Sequence, residues 1–471
     1  MSRDILSTSQ KALHVNMELT QYGTLAEIGA GQEVARWFFS VGGASGTIAK
    51  SISAYDMVVS DAIYGAADRY VSRQRLTRML EYEYQLLQER LQAKRGKETR
   101  FFAFANTVTA TSFTRHEDGR GWMGIRFQSE PVSAPSQVII HVRMLDQHNL
   151  QQQEALGILG VNLIHGAYAY HNDPVTLIEA LMDNLSNDRI EVDMIKFSGP
   201  AFAGVDNRIM SLELVRLGLA NSAMFTADGE VVQASEVLYN KPILVSRGSF
   251  RPVTRPIVDM VQCARATFVQ EPEVSGKEIV VLLEMTLRNL GSSDGGIHHR
   301  DFLDRVDLLG ALGQTVLISN YGRFYRLAAH LSRHTREMIG ITMGLKSLRD
   351  IFDEKYYTDL DGGILESFGR LFKNDLKLYI YPMREPKSGA LFTAANLQVA
   401  PNLHHLYLHL LDNRHIQDLR GYDDSCLPIF SKNVLASLQK GDGSWEACVP
   451  PKVAEIIKQR GLFGYGKGGA G

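Results

Sequence analysis

The stretch Pro242–Arg265, PILVSRGSFRPVTRPIVDMVQCAR, decides how this chain is read. Pro242-Ile243-Leu244-Val245 is a short apolar run rich in branched side chains, which suits a strand buried on both faces of a parallel sheet. Ser246-Arg247-Gly248-Ser249 follows as a glycine turn. Pro252 and Pro256 allow a helix to start here but not much earlier, and Ile257, Met260, Val261 and Ala264 then recur at helical spacing. A strand, a glycine turn and a helix N-terminus make an anion site, because free backbone N–H groups point at the ligand and the helix dipole favours negative charge. Arg247 and Arg251 are placed to add bidentate phosphate contacts.

Working outward, the flanking sequence repeats this layout. One unit runs RIEVDMIKF (Arg189–Phe197), DNRIMSLELVRLGL, SAMFTADG, a helix and PILVSRG. The other runs EIVVLLEM (Glu278–Met285), HHRDFLDRVDLLGALG, TVLISNYG, a helix and EMIGITMG. Each reads as strand, helix, strand, helix, strand, which suits either two duplicated mononucleotide-type halves or the general likeness of all such units. The expected fold class is α/β: a doubly wound, mostly parallel sheet over residues 186–385, a mixed α+β N-terminal domain over 1–185 and a helical C-terminal region over 386–471. In the N-terminal part, Ser72–Lys94 reads as a helix with an apolar stripe of Leu76, Met79, Leu80, Leu87 and Leu91. Arg100–Ala110, Trp122–Gln128 and Gln137–Met144 read as antiparallel strands, the first two joined by the polar loop His116-Glu117-Asp118-Gly119.

The run Gly248-Ser249-Phe250-Arg251-Pro252-Val253-Thr254 resembles the GSFxPxT/H stretch of nicotinamide or nicotinate mononucleotide adenylyltransferases. In that family the stretch follows a parallel strand and cradles the phosphates of ATP, so the resemblance implies a nucleotide-binding turn and adenylyl transfer. The family pattern continues to a histidine, where this chain has Ile257. The family's Ser-Thr-x-x-Arg signature has no counterpart read in this chain. The whole chain also resembles a bacterial family carrying the same patch.

Strand ends of a parallel sheet are where ligands gather. The expected ligand set is Arg247, Gly248, Ser249, Asn320, Lys196, Asp193 and Arg208, with Asp228 and Arg251 as the chemically active pair. Asp228 suits a magnesium ion or a ribose hydroxyl, or equally an Asp-Gly turn. A charge such as Asp193 within an apolar strand needs a partner, for which Lys196 and Arg208 are the nearby candidates. Gly29 and Gly31 offer a weaker glycine loop of the dinucleotide or S-adenosylmethionine kind, lacking the third glycine because Val34 stands there. His405 and His409, with Asp412, have helical metal-ligand spacing, and His298-His299 open a helix, but an amphipathic or solvated role suits both sets.

Composition narrows the classes. The 471 residues carry a formal net charge of −2, so no general field draws nucleic acid or an anionic membrane. No apolar run approaches the ~20 residues of a bilayer span. Three scattered cysteines, Cys263, Cys426 and Cys448, argue for a reducing cytoplasm rather than a disulfide framework. The expected partners are a nucleotide or other phosphorylated small molecule, with Mg2+ as its companion, and a second copy of the chain. A non-catalytic assembly or regulatory protein is the alternative class.

Overall fold

Branched and aromatic runs alternate with amphipathic stretches along the chain, and the backbone sorts them into two sheets clothed by helices. In a computed structural model the described residues are 3–110, 119–291, 296–385 and 388–466. They fall into two compact units, Met1–Ala223 and Met224–Gly471.

The sheet of the first unit contains β1 (Gln21–Ile28), β2 (Ile48–Ile52), β3 (Arg100–Thr109), β4 (Gly119–Phe127), β5 (Ser136–Met144) and β6 (Ile190–Ser198), in the order β2-β1-β3-β4-β5-β6. The β2-β1 and β1-β3 pairs are parallel, and the rest are antiparallel. The long helix Arg73–Arg95 starts at Ser72, whose hydroxyl accepts from the Arg75 amide at 3.2 Å. Tyr84 and Leu87 from this helix bury against Phe101 and Ala103 of β3. Burying a leucine or phenylalanine side chain such as Leu87 or Phe101 contributes about 1.5–3 kcal/mol. The loop expected at His116-Glu117-Asp118 lies outside the described residues.

The second sheet holds β7 (Ser222–Phe225), β8 (Val231–Val232), β9 (Ile243–Arg247), β10 (Val280–Thr286), β11 (Thr315–Ser319), β12 (Ile339–Gly344) and β13 (Lys377–Tyr381). A small hairpin, β14 (Met383–Arg384) with β15 (Leu391–Phe392), precedes its last strand, β16 (Ile416–Asp418). The order is β16-β13-β12-β9-β10-β11-β7-β8. Every pair from β16 through to β11 is parallel. From β9 the chain steps outward to β10 and β11, then returns to lay β12, β13 and β16 on the other side. The strand order therefore reverses beside β9, which is a topological switch point.

Three sequence expectations change. The unit boundary falls at 223/224 instead of 185/186, because β6 completes the first sheet by pairing antiparallel with β5. The duplicated halves do not form as two equivalent halves, since the opening strand of the first, RIEVDMIKF, belongs to that other sheet. Residues 386–471 are more than a helical appendix, because Ile416–Asp418 pairs in register with β13. Periodicity marks the strand but not the sheet it joins.

Candidate ligand site at the edge of the parallel sheet

At the carboxyl end of β9 the side chains pair across strands. Arg247 stands opposite Glu284 of β10, and Ser246 opposite Thr342 of β12. Arg247 donates through Nε to Glu284 Oε2 at 2.6 Å and through Nη2 to Oε1 at 2.8 Å. Glu284 is fully buried, and the Ser319 hydroxyl donates to its Oε1 at 2.5 Å. The Phe324 ring lies 4.5 Å from the Arg247 guanidinium carbon. A bidentate pair of this kind satisfies a buried carboxylate. The expected phosphate contact from Arg247 is thus replaced by a structural bond, and only the remaining N–H edge of the guanidinium is left for a ligand.

The turn after β9 is braced from below. The Gly248 N–H donates to the Glu284 carbonyl at 3.0 Å, so it serves the sheet and not a ligand. Asn289 Nδ2 donates to the Gly248 carbonyl at 3.2 Å. Arg305 donates through Nη1 to the Ser249 carbonyl at 3.1 Å and to the Asn289 carbonyl at 2.8 Å. Asp301 accepts from both Arg305 and Arg251, the latter through Nε at 2.6 Å. Phe250 is buried with φ 47°, a left-handed conformation. A Cβ on Gly248 would stand 2.8 Å from that ring, so glycine is required there. Ser249 is exposed. Among the described residues the Ser249 and Phe250 amides donate to no protein acceptor. Successive amides in a turn that visits the left-handed region form an anion-binding concavity.

The helix Arg255–Phe268 begins directly beyond, with Pro256 in its first turn. Thr254 is buried, its hydroxyl 3.3 Å from that of Ser431, which opens the helix Ser431–Lys440. Arg255 reaches Asp423 Oδ2 at 2.9 Å, Ser425 Oγ at 3.1 Å and the Ala447 carbonyl at 3.3 Å. Residues 423–447 therefore wall the start of this helix. Burial pushes the Cys263 thiol up to about 11, which keeps it protonated and removes it as a nucleophile.

Arg247, Gly248, Ser249 and Arg251 lie together, as their adjacency in sequence requires. Asn320 is exposed just after β11, two strands from β9 and about 10 Å away at the usual strand spacing. Asp228 is exposed in the turn joining β7 to β8, where Gly229 N donates to the Thr226 carbonyl at 2.9 Å. Its strand lies three places from β9, about 14 Å off, so Asp228 is a hairpin-turn residue that does not share a phosphate with Arg251. Asp193 and Lys196 are on β6, and Arg208 on the helix Asn207–Arg216, all in the first unit. Asp193 meets His141 Nδ1 at 2.6 Å, and Arg208 closes on Asp206 at 2.7 Å. These three therefore belong to a different sheet from the Gly248 turn. The residues missed from sequence are Glu284, Asn289, Asp301 and Arg305. Glu284 carried a signal, because an acid inside VVLLEMT is as anomalous as Asp193 inside its own strand.

The other candidates resolve locally. Gly29 and Gly31 follow β1, an eight-residue strand longer than the sequence suggested, and both have positive φ. The Gly31 amide donates to the Tyr55 hydroxyl at 3.2 Å. His405, His409 and Asp412 lie on the helix His404–Asp412, and His298 caps the helix His299–Ala311. Among the described residues no group of three or more His, Cys, Asp or Glu side chains is arranged to hold a metal. No helix among them is long and apolar enough to cross a membrane.

No protein-family model and no curated protein matches the chain. Solved structures to which it is similar include the competence/damage-inducible protein CihA of Agrobacterium tumefaciens, at 13% identity over 35% of this chain and 97% of that one, with a TM-score of 0.25. A CinA-superfamily protein of Klebsiella pneumoniae matches at 12% identity over 35% of this chain and 99% of that one, with a TM-score of 0.26. The Plasmodium falciparum nicotinic acid mononucleotide adenylyltransferase complexed with APC matches at 12% identity over 48% of this chain and 100% of that one, with a TM-score of 0.31. Scores this low fix neither fold nor activity.

Proposed function

We propose that the turn Gly248–Thr254 binds the phosphates of a nucleotide or a related phosphorylated small molecule. The observation that carries this reading is topological: the turn leaves β9 where the strand order reverses, with β10 paired on one side of β9 and β12 on the other. A crevice at that point is the general ligand site of open α/β sheets. The amides of Ser249 and Phe250 supply donors, and Arg251, about two-fifths exposed, supplies the accessible charge. Arg305, Asn289 and Asp301 fix the turn before a ligand arrives, which limits the ordering cost of binding. In this reading Mg2+ enters with the nucleotide, and any transfer chemistry rests on electrostatic positioning.

A second reading, binding without transfer, is favoured by one observation. Ile257, in the first turn of the helix behind the loop, offers neither a proton nor a charge to a reacting phosphate. The two readings separate by experiment. Thermal stability is measured with ATP, nicotinate mononucleotide, NAD and S-adenosylmethionine, with and without Mg2+. A ligand at 100 times its Kd adds about 2.7 kcal/mol. The expected result is stabilisation by ATP or the mononucleotide that is lost in Arg251→Ala. Stabilisation by none of them sinks the proposal, and stabilisation lost only in Gly31→Val moves the site to the first unit. Pyrophosphate release from ATP and nicotinate mononucleotide then decides between transfer and binding alone.

A further inference from the structure

The helix Met57–Tyr64 of the first unit, MVVSDAIY, is built inside out. The two residues it buries, Ser60 and Tyr64, both carry hydroxyls. Its outward residues are apolar: Val58 is 77% exposed, Met57 61% and Val59 49%, and Ala62 is exposed one turn on from Val58. Tyr55, just before the helix, is 61% exposed. An ordinary surface helix turns its apolar stripe to the core and its polar face to water. Single exposed apolar side chains need no explanation, but a run of them on one short helix marks an interaction site.

Polar anchors hold the inner face, so the helix cannot roll over to bury its aliphatic side. The Tyr64 hydroxyl donates to Oε1 of the buried Glu83 at 2.8 Å. Lys50 of the edge strand β2 reaches Oε2 of the same carboxylate at 2.5 Å. Asp61 accepts from Arg75 Nη2 at 2.7 Å and from the Tyr70 hydroxyl at 2.8 Å. Rolling the helix would take these partners from Glu83 and Arg75, two buried charges.

The two ends of the helix carry opposite charge. Asp56 caps the amino end, where its Oδ1 accepts from the Val59 amide at 3.1 Å, and it is exposed. At the carboxyl end Arg75 donates through Nη1 to the Gly65 carbonyl at 2.7 Å, and the half-buried Arg78 donates through Nη1 to the Ala66 carbonyl at 2.6 Å. A second copy of the helix laid antiparallel on the first sets each acidic end against the other's basic end, and aliphatic side chains against aliphatic ones. A two-fold interface requires this kind of self-complementarity. An anionic bilayer suits the surface less, because an interfacial helix carries lysine or arginine beside its apolar face, where this one has Asp56 and Asp61.

We propose that the helix Met57–Tyr64 is the contact of a homodimer, in which two copies pair antiparallel about a two-fold axis. Val58 meets Ala62 of the partner subunit, and Asp56 faces the partner subunit's Arg78. Met57, Val59 and Tyr55 flank this seam and exclude water from it.

The test is sedimentation velocity of the full chain over roughly 1–100 µM, where mass action fills a dimer. The expected result is a monomer–dimer equilibrium whose Kd rises about tenfold or more in Val58→Glu, with the circular dichroism unchanged because Val58 is exposed. Asp56→Asn keeps the helix cap and removes the charge, so it should raise the Kd by a smaller factor. Val58→Lys and Ala62→Glu should each be monomeric alone, and an equimolar mixture of the two should dimerise again. The proposal is overturned if the chain stays monomeric throughout, if dimers persist unchanged in Val58→Glu and Asp56→Asn, or if the mixture stays monomeric. Binding of the monomer to phosphatidylglycerol vesicles through this helix, lost in Val58→Glu, would overturn it in favour of a membrane surface.

Discussion

Each sheet buries a glutamate near the carboxyl end of a parallel strand, and the two are satisfied in different ways. Glu27, the penultimate residue of β1, lies under the helix Glu33–Phe39 and accepts from the Val34 and Ala35 amides at 3.3 and 2.9 Å and from Asn106 Nδ2 at 3.1 Å. Glu284 on β10 accepts the Arg247 guanidinium and the Ser319 hydroxyl. The first has only neutral donors, and burial, outweighing them, pushes its carboxyl up to about 7. The second has a cation bonded to both oxygens. Position in a parallel sheet therefore does not set a carboxylate's role. A group with neutral donors stays open to titration near neutrality, while one with a fixed cation becomes part of the frame.

The largest expected effect breaks the frame. Arg247→Ala leaves Glu284 buried without its cation and should cost about 3–5 kcal/mol in denaturant unfolding. A loss below about 1 kcal/mol would mean Arg247 is free to serve a ligand after all. Replacing both partners with apolar side chains should recover much of that loss.

Next comes the titratable partner. Because the folded Glu27 binds its proton more tightly than the unfolded chain, its contribution to stability is full below about 4.5 and is lost as pH rises through about 7. The loss should reach about 3.4 kcal/mol, at about 1.36 kcal/mol for each pH unit between those values. Glu27→Gln, which keeps an acceptor oxygen, should flatten that part of the stability–pH curve. An unchanged curve would show that the three donors keep Glu27 ionised throughout.

A smaller effect probes the backbone beside Glu27. Gly29 has φ +111°, and a Cβ there would stand 1.8 Å from the Val108 carbonyl oxygen. Gly29→Ala should cost about 1–3 kcal/mol by thermal or chemical unfolding, and a neutral result would mean that this loop relaxes freely. The smallest effect is at the other edge. Arg251→Ala removes an ion pair that is two-fifths exposed, so stability should change by less than about 1 kcal/mol even as the proposed nucleotide response disappears. A large loss would make Arg251 a structural residue like Arg247.

Local elements were legible in the sequence. The run Ile243–Val245, the glycine turn and the helix after Pro256 appear where expected, and Ser72 caps its helix. The apolar stripe Leu76, Met79, Leu80 and Leu87 is buried as its spacing requires. These features depend on near neighbours: branched runs, proline constraints and helical periodicity. What was illegible depended on distant partners. RIEVDMIKF has the same pattern whether it opens a parallel sheet or closes an antiparallel one. Arg247 reads as a phosphate ligand until Glu284, 37 positions away, is seen to hold it.

The alternation of strands, turns and helices, and a glycine turn at Gly248 between β9 and a helix, follow from the residues alone, because propensity and steric limits act over a few residues. Partners far apart in the chain settle that β9 lies at a switch point and that Glu284 and Asp301 claim the nearby arginines. Those outcomes depend on which charges and strands meet in space, where burial makes an unpaired group costly and so selects its partner.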